Sequence, residues 1–332
     1  MRVLLLGGTG FIGRAITEHC LAAGHQVTLF HRGLSNPGAF PDAEHVIGDR
    51  TVDVSPLRGR QFDVCFDSSG YEVPVVRASA QALRHPGLRY IFVSTISVYA
   101  DLTQLGEDGP LQRTPDAEHA RFSDDKYGAL KVACEEALSE ELEGRVLSAR
   151  PGLIVGPHDY DERFRYWLTR IARGGEVLAP GNPEAAAQCI DARDLAAWLL
   201  RVAGSELTGP MNVTGAAMPL RTLLETIRDV LGSDARFRWV PDEVLLAHGV
   251  TPYAEMPFWI PGSLGARAVP TERALQSGLE LRPFAETVRD TWAWLQKGWD
   301  AEVSVRENRI VRRPGGMSPE REQAILAAAA VS

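Results

Sequence analysis

Val3-Leu4-Leu5-Leu6-Gly7-Gly8-Thr9-Gly10-Phe11-Ile12-Gly13 decides how the rest of the chain is read. Four consecutive apolar residues suit a short strand buried on both faces, and the glycines after them let the backbone turn sharply into a helix opening at Phe11. Such a turn presents unpaired helix N–H groups and the positive end of the helix dipole to an anion, which the bare backbone can approach closely. Strand, glycine turn and helix in this order predict a dinucleotide pyrophosphate seated on Gly7, Gly8, Thr9, Gly10, Phe11, Ile12 and Gly13, with Gly13 allowing close helix–strand packing.

Outward from this turn, β-rich runs alternate with amphipathic stretches. Val3–Leu6, Gln26–Phe30, Glu44–Ile47, Asp63–Asp67, Tyr90–Ser94 and Arg145–Ala149 read as strands, and Phe11–Ala23 and Lys126–Leu142 as helices stopped by Gly24 and Gly144. This is the pattern of βαβ units, and it predicts an α/β, doubly wound parallel sheet of the Rossmann type over residues 1–152, with a return to it near 188–213. Past Pro151, proline- and glycine-bearing loops alternate with helical runs at Phe164–Arg173, Leu195–Val202 and Leu220–Leu231. Residues 153–300 are therefore expected to form a smaller mixed α/β lobe that binds substrate. Within it, the Pro241–Pro270 stretch holds Tyr253, Phe258 and Trp259, is too apolar for a free linker, and is expected to cover something. Residues 301–332 read as a peripheral C-terminal tail: a breaker at Arg312–Gly316, then Ser318 capping a helix to Ala330 with Pro319 in its first turn.

In the 332-residue chain apolar residues make up 45% and charged residues 23%, which is globular composition. A net charge of −8 repels a phosphate backbone, so nucleic acid is not an expected partner. Cys20, Cys65, Cys134 and Cys189 lie far apart and form no metal-ligand spacing, as do the scattered His25, His45, His85 and His119. They read as free thiols in a reducing compartment, with no metal site. The Val3–Leu6 run is too short for a signal peptide core or a membrane span, so the cytoplasm is the expected location.

The second strand ends Leu29-Phe30-His31-Arg32-Gly33, where an NAD-preferring site carries an acid for the ribose hydroxyls. With His31 there and Arg32 beside it, a 2′-phosphate becomes acceptable, so NADP is favoured over NAD. Asp49, after the third strand, could face the adenine amino group or cap a turn. Tyr127 and Lys131 stand four residues apart on one helix face, where both side chains reach the same ligand. A free phenol has a pKa of about 10, and a neighbouring ammonium lowers it towards a usable acid–base value. The fifth strand delivers Ser94-Thr95-Ile96-Ser97-Val98-Tyr99 to the carboxyl edge of the sheet, where ligands of open α/β sheets sit.

These pieces resemble the extended short-chain dehydrogenase/reductases, the group that includes nucleotide-sugar epimerases and dehydratases. The resemblance spans roughly residues 1–300 and rests on the Gly7–Gly13 turn, Ser94–Tyr99, Tyr127 with Lys131, and Arg150-Pro151-Gly152-Leu153-Ile154-Val155-Gly156-Pro157. It implies that Thr95 holds the substrate oxygen, Tyr127 is the acid–base and Lys131 anchors the nicotinamide ribose, with Pro151 also at the cofactor. Asp67-Ser68-Ser69-Gly70 stands where the family's Ala-Ala/Gly-type turn passes the cofactor, which brings Ser68, Ser69 and Gly70 to it, and Ala100 replaces the glycine after Val98-Tyr99. On the substrate side the candidates are Ser94, Ser97, Arg163, Arg165 and Trp167, of which the arginines suit a nucleotide-sugar diphosphate and all could equally be packing residues. Asp194 either belongs to the family's return to the core or caps a helix at Leu195.

An epimerase or a carbonyl reductase acting at a carbinol or carbonyl carbon is the function expected, possible as a homodimer; Thr95-Ile96-Ser97 lacks the acids of a dehydratase. The alternative is a non-catalytic RNA-binding or regulatory module resembling the chloroplast stem-loop-binding proteins.

Overall fold

The computed structural model describes residues 1–262, 268–298 and 315–329. In chain order the first elements are β1 (Arg2–Leu6), α1 (Phe11–Ala22), β2 (Gln26–His31), β3 (Glu44–Ile47), β4 (Val64–Asp67), α2 (Val73–Leu83), β5 (Arg89–Val93), α3 (Tyr127–Glu141) and β6 (Val146–Pro151). There follow β7 (Leu153–Val155), α4 (Glu162–Ala172), β8 (Glu176–Pro180), β9 (Ala186–Ala187), β10 (Cys189–Asp191), α5 (Ala192–Ala203) and β11 (Gly209–Val213). The last are β12 (Met218–Pro219), α6 (Leu220–Leu231), β13 (Arg236–Val240), α7 (Asp242–Ala247), α8 (Glu272–Gln276), α9 (Phe284–Gln296) and α10 (Pro319–Ala328).

Two compact units result. The first takes residues 1–154, 190–215 and 269–281, and the second takes 155–189, 216–268 and 282–332. The first unit is built on a parallel seven-stranded sheet in the order β11-β6-β5-β4-β1-β2-β3, the doubly wound Rossmann arrangement expected. Alternation along β1 feeds both faces: Val3 and Leu5 join Ile16, Leu195, Trp198 and Leu199 of α1 and α5. Leu4 and Leu6 join Val76, Ala80, Leu83 and Leu138 of α2 and α3. A sheet covered on both sides needs continuous apolar strands, which is why β1 shows no polar residue between Val3 and Leu6.

The return to this unit begins at Ile190 and has a further piece, residues 269–281, that places Ala274 and Leu279 in the same core as α1 and α5. Asp191 caps α5 by accepting the Arg193 N–H at 2.8 Å, so the helix starts three residues before Leu195 and Asp194 lies within its first turn instead of capping it. The four cysteines are free and buried.

In the second unit β8 and β13 pair in parallel, β9 and β12 antiparallel. Phe164 of α4 meets Phe284 of α9 with ring centroids 5.9 Å apart. From the Pro241–Pro270 stretch this core takes Met256, Phe258 and Trp259, which are buried, and the Pro257 carbonyl accepts the Trp167 indole N–H at 2.9 Å; residues 263–267 lie outside the described residues. The chain end is also structural. Ser318 caps α10 as expected, Ile325 and Leu326 are buried, and the buried Glu322 pairs with Arg170 Nε at 2.5 Å and accepts the Leu178 N–H at 2.9 Å. Of the expected tail, residues 301–314, with Arg312, Arg313 and Pro314, and Ala330 lie outside the described residues.

Candidate active site

The glycine turn sits at the carboxyl end of β1. A Cβ on Gly13 would lie 3.1 Å from the Gly8 backbone, so the helix can come this close to the turn only without a side chain there. A Cβ on Gly10, which stands at the N-cap of α1, would instead meet open space, leaving the helix N-terminus approachable by an anion.

Beside it runs the segment after β4, and each of its residues holds a different neighbour. The Asp67 carboxylate, wholly buried, takes Arg50 at 2.6 and 2.9 Å and the Tyr90 hydroxyl at 2.8 Å. Burial would raise this carboxyl, yet the Arg50 charge and the hydrogen bonds from Arg50, Tyr90 and the Ser69 N–H keep it below its ordinary value. Ser68 and Ser69 hydroxyls donate to the Leu6 carbonyl at 3.2 and 3.0 Å, tying the strip to the start of the glycine turn. The Gly70 carbonyl accepts from Lys131 Nζ at 2.9 Å. Tyr71 faces Phe122 and Tyr127 at centroid distances of 5.2 and 6.3 Å. Glu72 accepts from Arg121 and from the Phe122 N–H at 2.8 and 3.1 Å. Arg50, Asp67, Tyr71, Glu72, Tyr90 and Phe122 were not among the residues read as functional. Their partners lie far away in sequence, and the one available signal was a charged residue ending an otherwise apolar strand.

Lys131 is buried, giving its second hydrogen bond to the Val93 carbonyl at 2.7 Å, with the Phe92 ring centroid 4.0 Å from Nζ. Burial pushes its pKa down from 10.5 to about 8. Tyr127 opens α3 one turn earlier and is half-buried. The glycine after it is what lets α3 begin here, because a Cβ on Gly128 would overlap the Ser97 carbonyl oxygen. The 95–98 turn and the Tyr127 end of α3 are thereby brought together. Thr95, buried, caps that turn by accepting the Ser97 N–H at 3.1 Å, and its own hydroxyl proton is not used in this bond. Ser94 Oγ is buried without a partner among the described residues. Ser97 is exposed, and Pro151 ends β6 at the same sheet edge.

Other expected residues sit differently. His31 is buried with both ring nitrogens engaged, one to the Gly33 N–H at 3.1 Å and the other to His45 at 2.8 Å, so its ring has no nitrogen left for a ribose. Arg32 next to it is exposed. Asp49 caps a turn, accepting from the Thr51 N–H and hydroxyl at 2.9 and 2.7 Å. Trp167 is wholly buried in the second unit and its indole N–H is taken by Pro257, which makes it a core residue and not a substrate contact. Arg163 pairs with Asp161 and lies 5.3 Å from the Tyr253 ring, while Arg165 is 3.8 Å from Glu162. Among the described residues no cluster of His, Cys, Asp and Glu is arranged to hold a metal, and no helix is long and apolar enough to cross a membrane.

A glycine turn, a parallel sheet and a tyrosine four residues before a buried lysine define a dinucleotide-binding α/β protein. A profile of the NAD dependent epimerase/dehydratase family matches residues 3–79 and 71–213, and the chain belongs to that family. It is 31% identical over 224 residues to the chloroplast stem-loop binding protein of 41 kDa b of Arabidopsis thaliana, a match covering 62% of this chain and 56% of that protein. It is 28% identical over 269 residues to dTDP-6-deoxy-L-talose 4-dehydrogenase (NAD(P)(+)) of Kitasatospora kifunensis, covering 72% of this chain and 82% of the relative. The UDP-glucuronic acid 4-epimerase of Bacillus cereus, solved in complex with NAD, shares the fold with a TM-score of 0.65 at 14% identity, over 90% of this chain and 100% of the other.

Proposed function

We propose that the protein transfers a hydride at a carbinol or carbonyl carbon of a nucleotide sugar, using a nicotinamide dinucleotide held on Gly7–Gly13, the Ser68–Gly70 strip and Lys131. The observation that carries this reading is Lys131 itself: a buried ammonium fastened to two carbonyls, one helical turn from a half-buried phenol. A desolvated charge in such a place costs stability that a purely structural residue has no reason to incur. The Ser94 hydroxyl, unpartnered among the described residues, and the open space at Gly10 are consistent with polar ligand atoms nearby.

In this reading Thr95 donates its hydroxyl proton to the substrate oxygen, while Tyr127 gives or takes the proton at that oxygen. Lys131 offers its third N–H to the nicotinamide ribose. Bound nicotinamide would supply the hydride donor or acceptor. Arg32, exposed beside a histidine that has replaced the usual acid, supports NADP over NAD.

Identifying any nucleotide released on denaturation, then titrating NADH and NADPH into nucleotide-free protein, tests the cofactor. Retained NAD⁺ would favour an epimerase that returns its hydride internally, and an empty site preferring NADPH a reductase. Tyr127→Phe should lower hydride transfer by about 10²–10⁴-fold while leaving cofactor bound; undiminished turnover would remove Tyr127 from the mechanism. The similarity to a stem-loop binding protein supports a second reading as an RNA-binding module. Salt-sensitive RNA retention with no turnover would favour it, against the net charge of −8.

A further inference from the structure

His31 and His45 form a chain of hydrogen bonds whose two ends leave no choice of proton. The Gly33 N–H can only donate, so His31 Nδ1, 3.1 Å away, is an acceptor and carries no proton. The Phe40 carbonyl can only accept, so His45 Nε2, at 3.1 Å, carries one. The 2.8 Å contact between His31 Nε2 and His45 Nδ1 then holds a single proton, on His31, because an imidazole keeps at least one. Both rings are therefore neutral and protonated at Nε2. A further proton has two places to go, His31 Nδ1 or His45 Nδ1. In either it sets two N–H groups against each other and breaks a bond of the chain.

What this chain holds is the connection between β2 and β3. Gly33 opens it at φ +73° and Phe40 nears its end at φ +63°, a conformation that a residue with a side chain keeps only where its surroundings impose it. Between them Asn36 Nδ2 donates to the Thr9 carbonyl of the glycine turn at 3.3 Å, and the Arg14 guanidinium of α1 lies 5.7 Å from the Phe40 ring centroid. The loop leaves β2 where dinucleotide sites of this fold keep the adenosine ribose.

The other titratable groups around the pair have partners of their own or face water. On α1, Arg14 pairs with Glu18 at 3.0 Å, and His19 Nδ1 lies 2.8 Å from the Ala15 carbonyl. On β3, Glu44 points to the face opposite His45, where it pairs with Arg60 and accepts from the Thr28 hydroxyl at 2.9 Å. Asp49 caps its own turn, and Arg32 and Asp42 are exposed. Burial, and after it the neighbouring His45, hold the His31 pKa below 6.5. The closed loop is thus favoured above that pH and loses ground as pH falls below it.

We infer that the His31–His45 pair is a proton-operated latch on the cofactor site: neutral, it closes the loop over residues 33–40 against the glycine turn, and one added proton opens the loop and weakens dinucleotide binding. This rests on the cofactor reading above and adds a regulation of that same site. Calorimetry of NAD⁺ and NADP⁺ binding at pH 7.5 and 5.5, for the wild type, His45→Gln and His45→Ala, tests it. NAD⁺ lacks the 2′-phosphate, which itself titrates near about pH 6. Wild-type affinity for NAD⁺ should fall about 3- to 10-fold in acid, the loss expected one pH unit below an ordinary histidine pKa of about 6.5. Histidine-selective ¹⁵N NMR at pH 7.5 should show both rings neutral and protonated at Nε2. His45→Gln keeps an acceptor for His31 and a donor for Phe40 with one ring fewer to titrate, so its acid loss should be smaller. His45→Ala should bind less tightly already at pH 7.5. If NADP⁺ alone binds, the comparison of wild type with His45→Gln decides, because both meet the same phosphate. Affinity unchanged or tighter at pH 5.5, an acid loss as large in His45→Gln, or a charged ring or Nδ1–H tautomer at pH 7.5 overturns the latch and leaves the cofactor reading standing. Neither nucleotide bound at either pH overturns both.

Discussion

Lys131 has three N–H donors only while protonated. Two are committed to the Gly70 and Val93 carbonyls, so the neutral amine has no donor left for a ribose oxygen. Because burial brings its pKa down to about 8, the donor is present below that pH and lost as pH rises through it. Cofactor affinity should accordingly fall as pH rises from 7 to 9, and Lys131→Met should bind more weakly with a flatter profile; fluorescence titration of NADPH across that range checks both. A profile unchanged by the substitution would take the lysine out of cofactor binding. At this scale the sequence was readable where a local spacing fixes placement, as for Tyr127 and Lys131 one turn apart on α3. It was less so where a residue type was right and its surroundings decided. His31 has both nitrogens occupied, Trp167 is sealed by Pro257, and Asp49 serves its own turn.

Strands announced themselves because continuous apolar runs survive in the sequence, and β3 begins and ends where its residues suggested. Helix α2 did not. Val73-Pro74-Val75-Val76 has the composition of a strand with a breaker, yet Pro74 sits in the first turn, where its missing N–H removes no helical bond. The segment between β4 and α2 was equally opaque in its detail, since its partners Arg50, Arg121 and Lys131 come from three other places in the chain. Removing one member of a buried ion pair leaves the other uncompensated, at about 3–5 kcal/mol. Asp67→Ala should therefore lower the unfolding free energy by that much, read as a fall in the urea midpoint, with Arg50 left facing the Ser69 and Ser79 hydroxyls. A midpoint within error of wild type would mean that Arg50 finds water, and that the strip stands without the pair.

Across the whole molecule, alternation of strands and helices showed the doubly wound sheet. A return near 188–213 was expected; what no local pattern revealed is the third stretch of the first unit, residues 269–281. Edge strand β11 and helix α5 both come after the chain has left for the second unit, and α5 brings Leu195, Trp198, Leu199 and Val202 onto the α1 face. A fragment ending at residue 154 should therefore expose that apolar face, bind a hydrophobic dye strongly and fail to retain NADPH. Monomeric, dye-silent fragment that binds cofactor would show the late pieces to be dispensable.

The interrupted path has a consequence for biosynthesis. While the ribosome is still making the stretch between residue 154 and the end of β11 at Val213, the β6 edge has no complete β11 beside it and α1 lacks its full cover from α5. At about 5–20 residues per second that interval lasts about 3–12 s. The nascent chain thus emerges with an unpaired strand and an apolar helix face exposed for seconds, the kind of surface that chaperones bind.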